Sequence, residues 1–174
     1  LGLLAGDEGL GGPNISGSKI VVYSDGSATG ISCCSYENSL SVVDSGIRAV
    51  GGTRGTAVER KDAYQRFTFD GVDIYASHVG IAFGEDYGEG HVLLLQRSKV
   101  VAGDVAVEVA NSSSLHVEGS VLKAARWLSI SNSSGSAVTD SVLDGAASYG
   151  TSTVLCLRVY DRAYNFLTNT CPSP

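Results

Sequence analysis

Apolar and polar positions along residues 105–146 repeat with a period of 21. Set one above the other, VAVEVANSSSLHVEGSVLKAA and RWLSISNSSGSAVTDSVLDGA share eight identities. Asn111-Ser112-Ser113 lies over Asn132-Ser133-Ser134, and Ser120-Val121-Leu122 lies over Ser141-Val142-Leu143. Val107 and Val109 lie over Leu128 and Ile130. Alternating apolar residues, a polar corner and a second apolar run within some 21 residues describe one coil of a β-solenoid. The pattern is too short and too alternating for helices.

The same signature recurs upstream as apolar-x-x-Ser-x-apolar-x-(Ala/Gly). It starts at Val42, Phe69, Leu95, Val117 and Val138, with steps of 27, 26, 22 and 21, and Val72 takes the Ser slot of the second copy. One further step of 21 reaches Val159, and one of 19 back from Val42 reaches Tyr23. The chain therefore predicts an all-β parallel β-helix of about five to seven short coils. Stacked coils lie about 4.8 Å apart, so each slot meets its own kind above and below. Apolar slots then form an inward ridge. A repeated Ser hydrogen-bonds its stacked neighbours or a corner backbone group. Asn111 and Asn132 are expected to stack at a corner.

This divides the chain into an N-terminal apolar arm or cap over 1–18, the β-helix over 19–160, and a C-terminal cap over 161–174. The arm carries Leu1, Leu3, Leu4 and Leu10 on a Gly-rich backbone. It either covers the open end of the core, as solenoid ends require, or docks on a neighbouring subunit. It lacks the basic start of a signal peptide. Asp25-Gly26 marks a turn, either of a hairpin or of a solenoid corner. Two coils carry excess length, at 50–66 (mostly basic) and at 84–91 (mostly acidic). Such insertions are where repeat proteins often bind.

Composition agrees with many short strands. The chain has 174 residues, 22 Gly, 3 Pro and no Met, and only 17% of it is charged. Its net charge of −6 argues against nucleic acid and anionic membrane as partners. No run approaches 18 apolar residues, so no membrane span is expected. Cys156 and Cys171 bracket the last segment, and a bridge between them would stabilise by roughly 3 kcal/mol. Four cysteines allow three pairings, and buried free thiols are the alternative. Sequons stand at Asn14, Asn111 and Asn132. A secreted or cell-surface protein is the expectation.

The alignment also places chemistry. The slot after the first apolar residue reads Val43, Asp70, Gln96, Glu118, Thr139, and the next reads Asp44, Gly71, Arg97, Gly119, Asp140. Asp70 and Glu118 are two coils apart, about 9.6 Å, at the edge of the spacing used by inverting glycosidases. With Gln96 and Arg97 they form the candidate catalytic group, suited to an acidic sugar. A solvated face with scattered salt bridges is the competing reading. The slot Arg48, Tyr75, Val101, Lys123, Asp144 predicts an exposed Lys123–Asp144 pair. His78, His91 and His116 share no slot, so no metal cluster is expected. No cofactor is expected either. Calcium among Glu85, Asp86 and Glu89 is the one ion considered, although their spacing fits no known loop.

The coil length near 22 and the Asn-Ser corners, over residues 38–160, resemble the right-handed parallel β-helix proteins of the pectin-lyase-like superfamily. The segment CLRVYDRAYNFLTNTC is similar to the closing segment of secreted bacterial β-helix repeat proteins. The resemblance implies a fold shared by polysaccharide lyases and hydrolases, adhesins, tailspikes and surface proteins. It implies no one activity. Two functions follow as expectations. The first is a non-catalytic structural, adhesive or assembly subunit that self-associates through its arm or ends, as a homo-oligomer or filament. The second is a small polysaccharide-active enzyme, or a carbohydrate-binding module.

Overall fold

The structure is a computed structural model that describes residues 3–5, 12–33, 39–60, 66–83, 91–110, 113–133, 135–167 and 171. Among these residues there are strands and no helix. In chain order, β1 (Leu3–Ala5) precedes a first full turn of β2 (Asn14–Ser16), β3 (Lys19–Ser24) and β4 (Ser27–Cys33). The second turn is β5 (Leu40–Val43), β6 (Gly46–Gly51) and β7 (Arg54–Arg60). The third is β8 (Arg66–Asp70), β9 (Asp73–Ala76) and β10 (Val79–Phe83). The fourth is β11 (Val92–Gln96), β12 (Lys99–Ala102) and β13 (Val105–Val109). Then come β14 (Ser114–Glu118) with the long β15 (Val121–Ile130), and β16 (Ser136–Thr139) with β17 (Val142–Ser148). The chain closes with β18 (Val154–Leu157), β19 (Val159–Tyr160) and β20 (Phe166–Leu167).

Like strands stack in parallel, which makes this a parallel β-helix. The first face is a seven-stranded sheet, β2-β5-β8-β11-β14-β16-β18. The second face begins with β3, β6, β9 and β12, and the third with β1, β4, β7, β10 and β13. β15 and β17 run through both of these faces, joining them into one sheet. β15 turns the corner with register shifts between Lys123 and Leu128. Trp127, fully buried, fills the interior there against Tyr149 at 6.4 Å.

The register follows the repeat read from the sequence. Val42, Phe69, Leu95, Val117 and Val138 are successive partners on the first face, all buried. Both extrapolated ends are corrected. The slot before Val42 is Ile15, not Tyr23, and the slot after Val138 is Cys156, not Val159. The first rung, 27 residues from Ile15 to Val42, equals the step that follows it, and the last, 18 residues from Val138 to Cys156, is shorter than the 21 before it, so no fixed or steadily changing period holds. The first sheet strand, β2, lies within the stretch read as the arm, and β1 pairs with β4 of the same chain. Asp25-Gly26 is a corner between faces: β3 and β4 pair with β6 and β7, not with each other. The expected basic loop at 50–66 is largely strand. β7 occupies 54–60, and residues 61–65 lie outside the described residues.

The core is one apolar cluster inside the three faces. Phe67 meets Phe83 at 5.2 Å and Phe69 at 6.3 Å, both edge-on. Burying side chains of this size, each by about 1.5–3 kcal/mol, drives the coil closed. Cys156 faces this core and is bonded to Cys171, so the disulfide clips the C-terminal segment onto the last strand of the first face. Cys33 is disulfide-bonded as well. β20 turns back antiparallel on β19 through a loop ordered by Asp161. The Asp161 carboxylate accepts the backbone N–H groups of Ala163 and Asn165 and the Asn165 amide. These bonds, the Asn165 amide first, hold the Asp161 carboxyl below its ordinary value.

Candidate functional site

The corner between the first and second faces is built from one residue pair per rung. Its first position is left-handed in every rung: Gly17, Asp44, Gly71, Arg97, Gly119, Asp140 and Arg158 have φ between 45° and 63°. This conformation favours glycine, and costs a residue with a Cβ about 1–2 kcal/mol. From Gly17 to Asp140, each of these N–H groups donates to a carbonyl of the next rung. The second position is the repeated serine. Ser98 N–H donates to Ser120 Oγ at 3.1 Å, and Ser120 N–H to Ser141 Oγ at 3.1 Å. Val72 N–H donates to Ser98 Oγ, and Ser18 N–H to Ser45 Oγ. Each hydroxyl then donates to the carbonyl two residues back in its own rung, such as Glu118 from Ser120 at 2.8 Å. Val72 interrupts the ladder by one acceptor.

The four residues singled out as catalytic candidates meet at this corner. Asp70, Gln96, Arg97 and Glu118, with Gly119 and Asp140, line one surface concavity of about 420 Å³. Asp70, Gln96 and Glu118 are successive partners on the first face. Arg97 forks onto Asp70, Nε to Oδ1 at 2.8 Å and Nη2 to Oδ2. Gln96 Nε2 donates to Glu118 Oε2 at 3.0 Å. The guanidinium bonds hold the Asp70 carboxyl below its ordinary value against a small desolvation cost, and its charge adds to the effect. Asp70 is thus an anion at neutral pH, committed to its partner and not poised to give a proton. Arg97 is correspondingly held protonated by Asp70.

The same clasp recurs farther along the corner, where sequence reasoning did not look. Arg158 forks onto Asp140, with Nη2 to Oδ2 at 2.7 Å, and lowers that carboxyl in the same way. It has no Gln96–Glu118 companion. A bidentate Arg–carboxylate pair repeated along one corner is a staple between rungs. Arg97 is 74% exposed, so solvent screens each staple heavily and its role is to fix geometry more than to add stability. The expected Lys123–Asp144 pair forms at 3.3 Å.

Other expectations fall elsewhere. Asn132 is left-handed and its Oδ1 accepts from Thr151 Oγ1 at 3.0 Å, while Asn111 lies outside the described residues. Serines stack at that corner: Ser133 N–H donates to Ser152 Oγ, and Ser133 Oγ to the Ser113 carbonyl. Leu3 and Leu4 belong to β1, in register with Ile31 and Ser32. Leu1, Leu10 and the 84–89 carboxylates lie outside the described residues. Among the described residues no three His, Cys, Asp or Glu gather closely enough for a metal ion. Among them no helix is long and apolar enough to cross a membrane.

A second feature missed from sequence lies on the second face. Arg48 is sandwiched between Tyr75, at 4.7 Å from its ring centroid, and Tyr23, at 5.8 Å. Arg48 and Tyr75 already stood in one aligned slot, so the signal was present; only the Lys123–Asp144 end of that slot was read as chemistry. The chain matches no protein-family model, no curated protein and no solved structure.

Proposed function

We propose that this chain is a non-catalytic extracellular module, structural or adhesive, that assembles with further copies through its N-terminal end and arm. The observation that carries the reading is the Asp70–Arg97 clasp: one of the two carboxylates in the candidate catalytic group is spent on joining rungs. Its counterpart at Asp140–Arg158 supports the same use of the corner. The two ends of the solenoid also differ. The C-terminal end is closed by the antiparallel β20 and the Cys156–Cys171 bridge. At the N-terminal end β1, β2 and β3 are the last strands of their faces among the described residues. Terminal strands are templates for pairing with another chain. Disulfides favour an oxidising, extracytoplasmic setting. The coil length near 22 and the Asn-Ser corners of the sequence resemble the pectin-lyase-like superfamily, and membership of it is part of this proposal.

The test is sedimentation of the whole chain against the double variant Leu3→Asp, Leu4→Asp. The reading expects concentration-dependent association that the variant abolishes while its circular dichroism is unchanged. Two monomeric proteins would reduce the arm to a cap. A second reading, an enzyme acting on an acidic polysaccharide, draws on the shared concavity of Asp70, Gln96, Arg97 and Glu118. Turnover of such a polysaccharide that Glu118→Gln removes would establish it in place of the first.

A further inference from the structure

We propose that copies of this chain dock side by side, the outer side of the second face of one copy receiving the acidic connection Glu85-Asp86-Tyr87-Gly88-Glu89 of the next. This contact is lateral. It is separate from the N-terminal end and from the clasped corner, and it stands or falls apart from both. The receiving groove encloses about 390 Å³ and runs along the solenoid axis. One outward column reads Lys19, Gly46, Asp73, Lys99, in register across four rungs, and Arg48 and Tyr75 stand in the column beside it. Gly46 creates the depression: a Cβ there would meet nothing within 4 Å.

Four observations select the occupant. First, three of the six exposed large apolar side chains among the described residues, Val21, Tyr23 and Tyr75, lie on this one face. Apolar surface gathered in that way marks an interaction site. Second, the groove is positive on an acidic chain. Lys19, Arg48 and Lys99 against Asp73, three charges against one, leave a local balance of +2, where the whole chain carries −6. None of the three cations makes an ion pair among the described residues. Tyr23 and Tyr75 hold the Arg48 guanidinium between them, so one cation is oriented before a partner arrives. Third, the spacings match. Lys19 and Lys99 are three rungs apart, about 14 Å. In an extended peptide alternate residues share a side, and four residues span about 13.6 Å. Glu85 and Glu89 have that separation, with Tyr87 midway. No other pair of acidic residues four apart in this chain has an aromatic residue between them. The two carboxylates then meet the two lysines, and the Tyr87 ring falls into the depression over Gly46, beside Arg48 and Tyr75. Fourth, the placement fits. The connection leaves the third face after Phe83, in the third turn, and the next strand of the first face begins at Val92. The corner between those faces lies across the core from the second face, and the third turn is among the four that the groove spans. Copies set side by side in one orientation therefore bring the connection of one to the groove of the next. The two surfaces differ, so the contact is heterologous and repeats from copy to copy.

The test is a charge swap followed by sedimentation of the full chain at low salt, where exposed charges are least screened. It is run in the Leu3→Asp, Leu4→Asp background, which removes the end contact and so separates failure of this contact from failure of that one. Lys19→Glu with Lys99→Glu reverses the groove, and Glu85→Lys with Glu89→Lys reverses the connection. Each pair alone should abolish association. An equimolar mixture of the two should restore it, because the reversed groove then meets the reversed connection. A chain that stays monomeric in both the parent and this background, or association that survives either reversal, would overturn the proposal. Calorimetry with the synthetic peptide GEDYGEG, titrated into the chain carrying Glu85→Lys and Glu89→Lys, reads the groove alone. One site is expected, about tenfold stronger than for the isomer GGYEDEG, in which the acid spacing is broken. Equal binding of the two peptides would contradict the match of spacings. Gly46→Val fills the groove without touching a charge and should abolish peptide binding at an unchanged or higher melting temperature. Undiminished binding by that variant would place the peptide elsewhere. Peptide binding by a chain that never associates would assign the groove to an acidic segment of another protein and overturn the second copy as occupant.

Discussion

The corner from the first to the second face and the corner from the third back to the first carry the same chain through the same number of rungs, yet they obey different rules. The former has two residues in each of six rungs, from 17–18 between β2 and β3 to 140–141 between β16 and β17. The latter varies from four residues, 110–113, to eight, 84–91. The tight corner has a left-handed residue and a serine whose hydroxyl serves two rungs at once. Nothing can be added there without moving every bond above and below. The variable corner carries part of the length differences between rungs, and strand length on the second and third faces carries the rest, from 6 and 7 residues in β6 and β7 to 4 and 5 in β9 and β10. The lesson is that regularity in this solenoid is enforced by one corner, and diversity is admitted at another.

The largest expected effect separates the two corners directly. Inserting one residue between Gly119 and Ser120 shifts the strand register by one, sending core residues to the surface, and should abolish cooperative unfolding. Doubling the eight-residue connection with Gly and Ser should cost only about 0.6 kcal/mol. Equal tolerance in thermal melts would erase the distinction.

Next in size is the serine ladder. Ser120→Ala deprives the Ser98 N–H of its acceptor in a buried setting. A loss of about 1–3 kcal/mol in urea unfolding is expected. Ser18→Ala, whose hydroxyl bonds only the exposed Ser16 carbonyl, should lie within about 0.5 kcal/mol of the parent.

Smaller again is the backbone effect. Gly119 has φ +56° and room for a Cβ, its nearest neighbour being Arg97 Cγ at 3.9 Å. Gly119→Ala should therefore cost about 1 kcal/mol from conformation alone. Gly46→Ala has ordinary φ and open space, and should stabilise by about 0.4–1 kcal/mol. If both changes have the same sign, the left-handed corner does not discriminate as claimed.

How much of this was legible in the sequence follows from the same contrast. The five aligned starts from Val42 to Val138 fell into register because the tight corner repeats its serine, and only Val72 breaks it. Extrapolation to Tyr23 and Val159 failed because it assumed short steps near 20 at both ends, whereas rung length varies with strand length and with the variable corner. Ile15 and Cys156 are apolar slots without the following Ser signature in full: Ser18 is present after Ile15, but Val159 follows Cys156. The candidate group Asp70, Gln96, Arg97 and Glu118 was correctly brought together by slot arithmetic. Its pairing was not legible, because alignment gives proximity and not which side chain a guanidinium chooses. The Arg48 sandwich needed Tyr23, which lies two positions off its slot and so escaped a column-by-column reading.

The smallest effect expected is in acid. Asp70, Asp140 and Asp161 are all held below the ordinary value of 3.8. A carboxyl depressed on folding contributes stability above its unfolded value and loses it as pH falls through the folded one. Stability should hold down to about pH 4 and decline below it. Arg97→Ala should weaken that decline slightly, since Arg97 is exposed and its pair with the half-buried Asp70 is screened by solvent.

The clasp is the claim on which the structural reading of the corner rests, and it is measured most directly by following the Asp70 carboxyl carbon through an acid titration by NMR. The titration midpoint should lie below 3.8 in the parent chain and rise toward that value in Arg97→Ala. A midpoint at or above 3.8 in the parent, unmoved by Arg97→Ala, would contradict the clasp and return Asp70 to the list of available acids.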